Sequence, residues 1–249
     1  MINSALYKDP VLLDPAQHRA LRMGVLTDYS ITKGMHAVFL TATEFMQAGL
    51  EFPILFVHSG DRDAEGRLLL SPIVLLGLTQ GENLCVKGTR WDARYIPAFI
   101  RRFPFLTANL KGASGPGVLI DKSWSGFSAT EGEPLFTADD KPSPALDQAI
   151  KFLEMFEQEA QRTRLFCARL AELDILKEMK ADATLPDGKT LSVDGFYTVD
   201  DEKLRELPDA TVLELHRNGM LMLLTMHLAS LTNMKHLVDR KALRDAAPI

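Results

Sequence analysis

The apolar positions of this chain change period part-way along it. Over residues 1–144 they form short runs bounded by Gly, Pro, Asp and Asn, and further on they recur every three or four residues. His36–Leu40 (HAVFL), apolar and partly β-branched or aromatic, Pro53–His58 (PILFVH), Leu68–Leu78, Asn83–Val86 and Gly117–Asp121 (GVLID) read as strands. Pro53–His58 and Leu68–Leu78 flank a polar tip and predict a hairpin. Pro72 puts the second of these strands at an edge or a bulge, because proline donates nothing to a ladder. Thr41 or Thr43 caps a short helix over Ala42–Leu50 that must stop before Pro53. Lys87–Gly88 reads as a turn, and a helix opening at Pro97 must end near Phe103, since Pro104 follows. Residues 1–34 predict an edge strand and a loop, and 122–145 a connection rich in Gly, Ser and Pro.

From about residue 145 the helical period takes over. Apolar side chains at 150, 153, 156, 160, 166, 170 and 173 predict one long helix over Ala145–Lys180. Asp182–Tyr197 alternates around a central Asp-Gly and predicts a small hairpin. Asp200–Leu207 reads as a short helix ending at Pro208, and Thr211–Leu243 as a longer one broken near Gly219. Strands first and helices later predict an α+β fold. Its mainly antiparallel or mixed sheet is built from the N-terminal half, with the long C-terminal helices packed on one face. The whole chain, 1–249, is expected to be one domain, sheet-rich over 1–144 and helix-rich over 145–249, with the hairpin at 182–197. Neither GxGxxG nor GxxxxGK[ST] occurs, so those nucleotide-binding loops are excluded.

With 249 residues, 46% of them hydrophobic, the chain can bury about 70% of its extended surface, enough to need no disulfide or metal staple. A net charge of −5 argues against a nucleic-acid groove. Cys85 and Cys167 make no disulfide framework and read as reduced, partly buried thiols of a cytosolic protein. Lys8, Asp9 and Asp14 interrupt the stretch where a signal peptide needs apolar residues, and Met220–Met234 is too short to span a bilayer. A cytoplasmic location without a membrane span is therefore expected.

The richest chemistry lies in Trp91–Phe105. Trp91 and Tyr95 could stack on a flat ligand while Arg101 or Arg102 anchors its negative charge and Asn83 adds an amide. The competing reading makes the aromatic residues core and pairs the arginines with Glu82, Asp92 or Asp121. Glu44 stands at a helix start, either as an acid/base or, more simply, as a cap. Asp121 is a further candidate for proton transfer. So is His227, with Ser230 three residues on as an acceptor for its proton. Asp61, Asp63, Glu65 and Gly66 imitate the start of a calcium loop, but Pro72 stands where that loop needs Glu. No HExxH or CxxC occurs, so neither a metal nor a cofactor is expected.

Several segments taken together resemble the bacterial SapC family: Thr43-Glu44-Phe45 with Phe52-Pro53-Ile54, GENLCV at 81–86, Trp91, Tyr95–Pro97, IRRFPF at 100–105, GVLID at 117–121, and Asn218-Gly219 with HLASLTN at 227–233. The spacing W-x₃-Y-x-P-x₃-RR-x-PF is the most specific piece. The resemblance implies a fold and no particular reaction. It also implies a surface-layer locus as the source of the family name, and partners from a pathway of halogenase-like, cupin-like and outer-membrane-receptor proteins. The peptide-transporter permease of the same name is a different protein with membrane spans. The expected function is a binding or accessory protein for an anionic or aromatic small molecule or a protein partner, with a homo-oligomer left open. The alternatives are a small-molecule enzyme using Glu44, Asp121 or His227, and a surface-layer component.

Overall fold

The computed structural model describes residues 3–62, 68–109, 115–184 and 190–246. Its early elements are β1 (Pro10–Leu12), α1 (Pro15–His18), β2 (Arg22–Met23), β3 (Ala37–Phe39), α2 (Phe45–Ala48), β4 (Ile54–Arg62) and β5 (Leu68–Leu75). There follow β6 (Val86–Lys87), β7 (Arg90–Trp91), α3 (Ala98–Arg101), β8 (Phe105–Asn109), β9 (Pro116–Asp121), β10 (Phe127–Ser128) and β11 (Glu133–Pro134). The remainder is α4 (Pro144–Glu172), β12 (Leu176–Thr184), β13 (Thr190–Val199), α5 (Asp201–Arg205), α6 (Asp209–Arg217), α7 (Met220–Ser230) and α8 (Met234–Ala246). The fold is α+β, and the named strands pair antiparallel.

The largest sheet has five strands in the order β12-β13-β4-β5-β3, so two of the five come from the C-terminal half. The expected small hairpin is thus longer than its alternation suggested, and it extends the main sheet. Its turn, and the tip containing Asp63, Glu65 and Gly66, lie outside the described residues. The predicted long helix ends at Glu172, and Asp174 takes a left-handed φ of 51°. Residues 176–184, expected to be partly helical, instead cover the edge that β13 would leave open.

Pro72 departs from expectation as well, because β5 is an inner strand. Opposite β4 it pairs with Phe56, and its nitrogen points the other way, just past the last residue of β3. There its carbonyl still accepts from the Leu40 N–H at 3.0 Å. The missing donor therefore falls where the ladder has ended.

The continuous apolar run of β4 is explained by burial on both faces of the sheet. Ile54 and Phe56 pack into one core with Phe166 and Leu170 of α4 and Leu224 of α7. Leu55 and Leu75 face the opposite way, against Leu237 of α8. Helices accordingly cover both faces, where one was expected. Gly219, at φ 80°, makes the break between α6 and α7 that the sequence predicts. The strand expected at Asn83–Val86 is shifted to β6, which forms a tight hairpin with β7 through Gly88, at φ 63°. Sequence periodicity missed β8, which pairs with β9. It also missed the two-residue strands β10 and β11, which flank β2 within the stretch expected to be a plain connection.

Candidate functional site

The Trp91–Phe105 segment is organised by one buried carboxylate. Glu44 closes a capping box on Thr41, accepting from its N–H at 2.9 Å and its hydroxyl at 2.8 Å with Oε2. Oε1 accepts from the Tyr95 hydroxyl and from the Ala98 N–H, both at 2.7 Å. Glu44 is therefore a cap for two helix starts at once, its own and that of α3. Burial and the neighbouring Glu44 charge hold the Tyr95 phenol well above the ordinary tyrosine range. Trp91 is fixed nearby by its indole N–H, which donates to the Tyr95 carbonyl at 2.8 Å, and its ring meets those of Tyr29 and Phe52.

Arg101 and Arg102 leave α3 one after the other and meet rings, and among the described residues neither pairs with a carboxylate. The Arg102 guanidinium lies 4.3 Å from the centroid of Phe99, 4.7 Å from Phe156 and 5.9 Å from Tyr7. Its Nε is buried and without a hydrogen-bond partner. Arg101 stands over Tyr95 and Phe152 and donates to the Ile96 carbonyl at 2.9 Å. The three carboxylates considered as their partners are taken elsewhere. Glu82 pairs with Lys241 and Asp92 with Arg240, each at 3.0 Å. Asp121 receives backbone and hydroxyl donors.

On the other side of Trp91 and Tyr95 a cleft of about 950 Å³ opens toward α8. Leu50, Phe52, Trp91 and Tyr95 give it apolar walls, and its charge comes from Arg90, Arg94 and Arg240 together with Glu51, Asp92 and Asp239. Glu51 holds the Arg94–Tyr95 turn by accepting both backbone N–H groups, at 2.8 and 3.3 Å. The Arg94 side chain itself is 98% exposed and reaches back to the Glu51 carboxylate at 3.5 Å. The structure thus brings Trp91 and Tyr95 to one cleft and leaves Arg101 and Arg102 outside its lining.

The remaining candidates are turned inward. Asn83 is fully buried: its amide donates to the Thr32 carbonyl at 3.1 Å and accepts from the Cys85 N–H at 2.8 Å, which occupies it within the fold. Burial opposes charge on Asp121. Donors from the Ser123 hydroxyl and from the backbone of Lys8, Ser123 and Asp9 nevertheless hold its carboxyl below the usual range. His227 sits in the core against Phe56, and burial lowers its pKa to about 4. Its Nε2 accepts from the Val199 N–H at 3.0 Å, while its Nδ1 has the Ile54 backbone near it but no partner in hydrogen-bond geometry. Ser230 does not take a proton from this ring. It donates to the His227 carbonyl at 2.6 Å and accepts from the Ile54 N–H at 3.0 Å. Asn233 donates to the Gly49 carbonyl at 2.8 Å, so the 227–233 stripe fastens the helix to the strands beneath it. Glu44, Asp121 and His227 share no hydrogen-bond partner. Burial pushes the Cys85 and Cys167 thiols up to about 12, which disfavours the nucleophilic thiolate at both.

The family model described as SapC matches residues 13–237. The chain belongs to the SapC family. No curated protein and no solved structure matches it. Within this SapC-family chain the GENLCV segment is held by α8, a feature that sequence reasoning missed. Arg244 donates to the carbonyls of Asn83 and Val86, both at 2.8 Å, and Arg240 donates to the carbonyl and carboxylate of Asp92 at 2.7 and 3.0 Å. Charged residues near the helix end were the only available signal, and they do not name their acceptors. Among the described residues no helix is long and apolar enough to cross a membrane, and no group of three His, Cys, Asp or Glu is placed to hold a metal ion.

Proposed function

We propose that this SapC-family chain is a binding or accessory protein that takes a small anionic or aromatic molecule in the cleft between β7 and α8. The carrying observation is the wall made by Trp91 and Tyr95. Both rings are fixed by internal hydrogen bonds and line a cleft whose edge carries Arg90 and the exposed Arg94. A volume of about 950 Å³ lies at the upper end of what small-molecule sites occupy, and aromatic walls with a few placed charges are their usual construction. The ligand anchors in this reading are Arg90 and Arg94, with Arg101 and Arg102 serving to pack α3 against α4. That Glu44, Asp121 and His227 occupy three separate hydrogen-bond systems, and that none of these three side chains lines the cleft, supports binding over proton transfer. We read residues 1–249 as one domain, because the main sheet draws strands from both halves, and we place the protein in the cytoplasm.

Native mass spectrometry of the protein isolated from its own host tests this reading. A bound small molecule is expected that Trp91→Ala releases and Arg102→Ala keeps. Wild-type protein carrying nothing, or a ligand lost only on Arg102→Ala, would overturn the cleft assignment. Recovery of the protein from the cell surface would overturn the location.

A further inference from the structure

A second, smaller pocket of about 500 Å³ lies beyond the Asp92–Arg240 ion pair, which lines both cavities. It is formed where the β6–β7 hairpin meets α8, and its charge is lopsided. Lys33, Lys87, Arg240 and Arg244 line it against one carboxylate, Asp92, in a protein whose net charge is −5. Arg240 spends its charge on Asp92. The other three cations are unmatched: Arg244 is held by two carbonyls, and neither Lys33 nor Lys87 pairs with a carboxylate among the described residues. The nearby carboxylates of Glu82 and Asp245 are both engaged by Lys241 and do not line the pocket.

A guanidinium held by carbonyls differs in kind from one held by a carboxylate. The carbonyls orient its plane and satisfy some of its N–H groups, yet they leave its full positive charge in place. Arg244 is thus a cation fixed in place at the pocket wall, with its charge not matched by a carboxylate among the described residues. The two lysines add flexible point charges at the rim, from the residue after the 3-10 turn Tyr29–Thr32 and from the β6–β7 hairpin. Leu84 and Val86 are buried at the wall and Leu243 is exposed, so the pocket has an apolar side as well.

We infer that this pocket binds a compact, multiply charged anion, a phosphate or diphosphate group, through Lys33, Lys87 and Arg244. A single carboxylate would leave most of the charge unmatched, whereas phosphoryl oxygens accept from several donors at once. The inference does not rest on the Trp91 cleft, and the two sites are separable by mutation.

Isothermal titration of the full chain with pyrophosphate, and separately with sodium sulfate, inorganic phosphate and phenyl phosphate, tests it. Pyrophosphate is expected to bind at least tenfold more tightly than sulfate, and to weaken at least tenfold in the doubly substituted Lys33→Gln, Lys87→Gln protein, whose changed side chains are exposed and should leave folding intact. Trp91→Ala should bind pyrophosphate as the wild type does. Phenyl phosphate binding more tightly than inorganic phosphate would assign the pocket to a phosphorylated organic molecule, and equal binding to a free phosphate. Pyrophosphate no tighter than sulfate, or unchanged affinity in the double variant, would overturn the proposal. Loss of pyrophosphate in Trp91→Ala alone would place the anion in the neighbouring cleft and overturn it equally.

Discussion

The arginines of α3 and those of α8 make an instructive pair. Arg101 and Arg102 stand at the C-terminal end of α3, Arg240 and Arg244 in the middle and the last turn of α8, and both sets lie close to the same Gly81–Phe105 stretch. Arg101 and Arg102 end against aromatic rings, in the seam with Phe152 and Phe156 of α4. Arg240 and Arg244 end on main-chain oxygens of residues 83–92. Rings soften a charge and bury its stem, so the α3 pair becomes part of the packing. Carbonyls aim a charge and keep it, so Arg244 retains the capacity to meet an anion, whereas Arg240 already meets the Asp92 carboxylate. One residue type thus does two jobs, decided by the acceptor it reaches.

The comparison can be broken at its supports, beginning with the largest effect. Glu44→Ala strips a common acceptor from the buried Thr41 and Ala98 N–H groups and from the partly buried Tyr95 hydroxyl. Stability should fall by about 4 kcal/mol, read as a lower urea midpoint. A loss under about 1 kcal/mol would mean that α3 is held by the rings alone.

Next comes acid. His227 is neutral in the fold, with a pKa lowered to about 4 from an ordinary value of 6.5, so the unfolded chain takes up a proton before the folded one does. The neutral imidazole supports the fold in full above pH 6.5. That contribution, about 3 kcal/mol, is lost as pH falls from 6.5 to about 4. His227→Gln keeps an acceptor for the Val199 N–H and should flatten this slope in a pH series of urea melts. An unchanged slope would assign the acid sensitivity to carboxylates such as Asp121.

Arg244→Ala removes two charge-assisted hydrogen bonds to the Asn83 and Val86 carbonyls and should cost about 2 kcal/mol. Faster hydrogen exchange over residues 83–92 is expected with it. Arg102→Ala should cost about 1 kcal/mol, because the lost ring contacts are offset by release of a buried Nε without a partner. Reversal of that order in thermal melts would show that ring contacts, and not carbonyl bonds, are the stronger hold on a guanidinium in this protein.

Much of the framework was legible in the sequence. The strand runs around 37–39, 54–58 and 117–121, the capping threonine, the stop before Pro104 and the break at Gly219 all follow from local rules, and all appear. The pairing of Phe99 with Arg102 at helical spacing does too. Other features were hidden in characteristic ways. Residues 176–180 continue a helical composition but are claimed by the edge of β13. Pro72 forbids one hydrogen bond, yet that bond lies past the end of β3, so an inner strand tolerates it. The candidate residues were chosen by type, and type does not reveal that Asn83 and Asp121 spend their polar atoms on neighbouring backbone.

What the chain determined alone was the period of each segment and the points where it must turn, because dihedral preference, proline and glycine act within a few residues of themselves. What tertiary structure decided was the partner of each buried charge. A backbone carbonyl is present at every position and leaves no mark in a sequence, so the grip of Arg240 and Arg244 on residues some 150 positions away exists only once the chain has folded. The same holds for the cleft, whose two walls, the Arg90–Tyr95 turn and α8, lie far apart in the sequence and meet only in the fold.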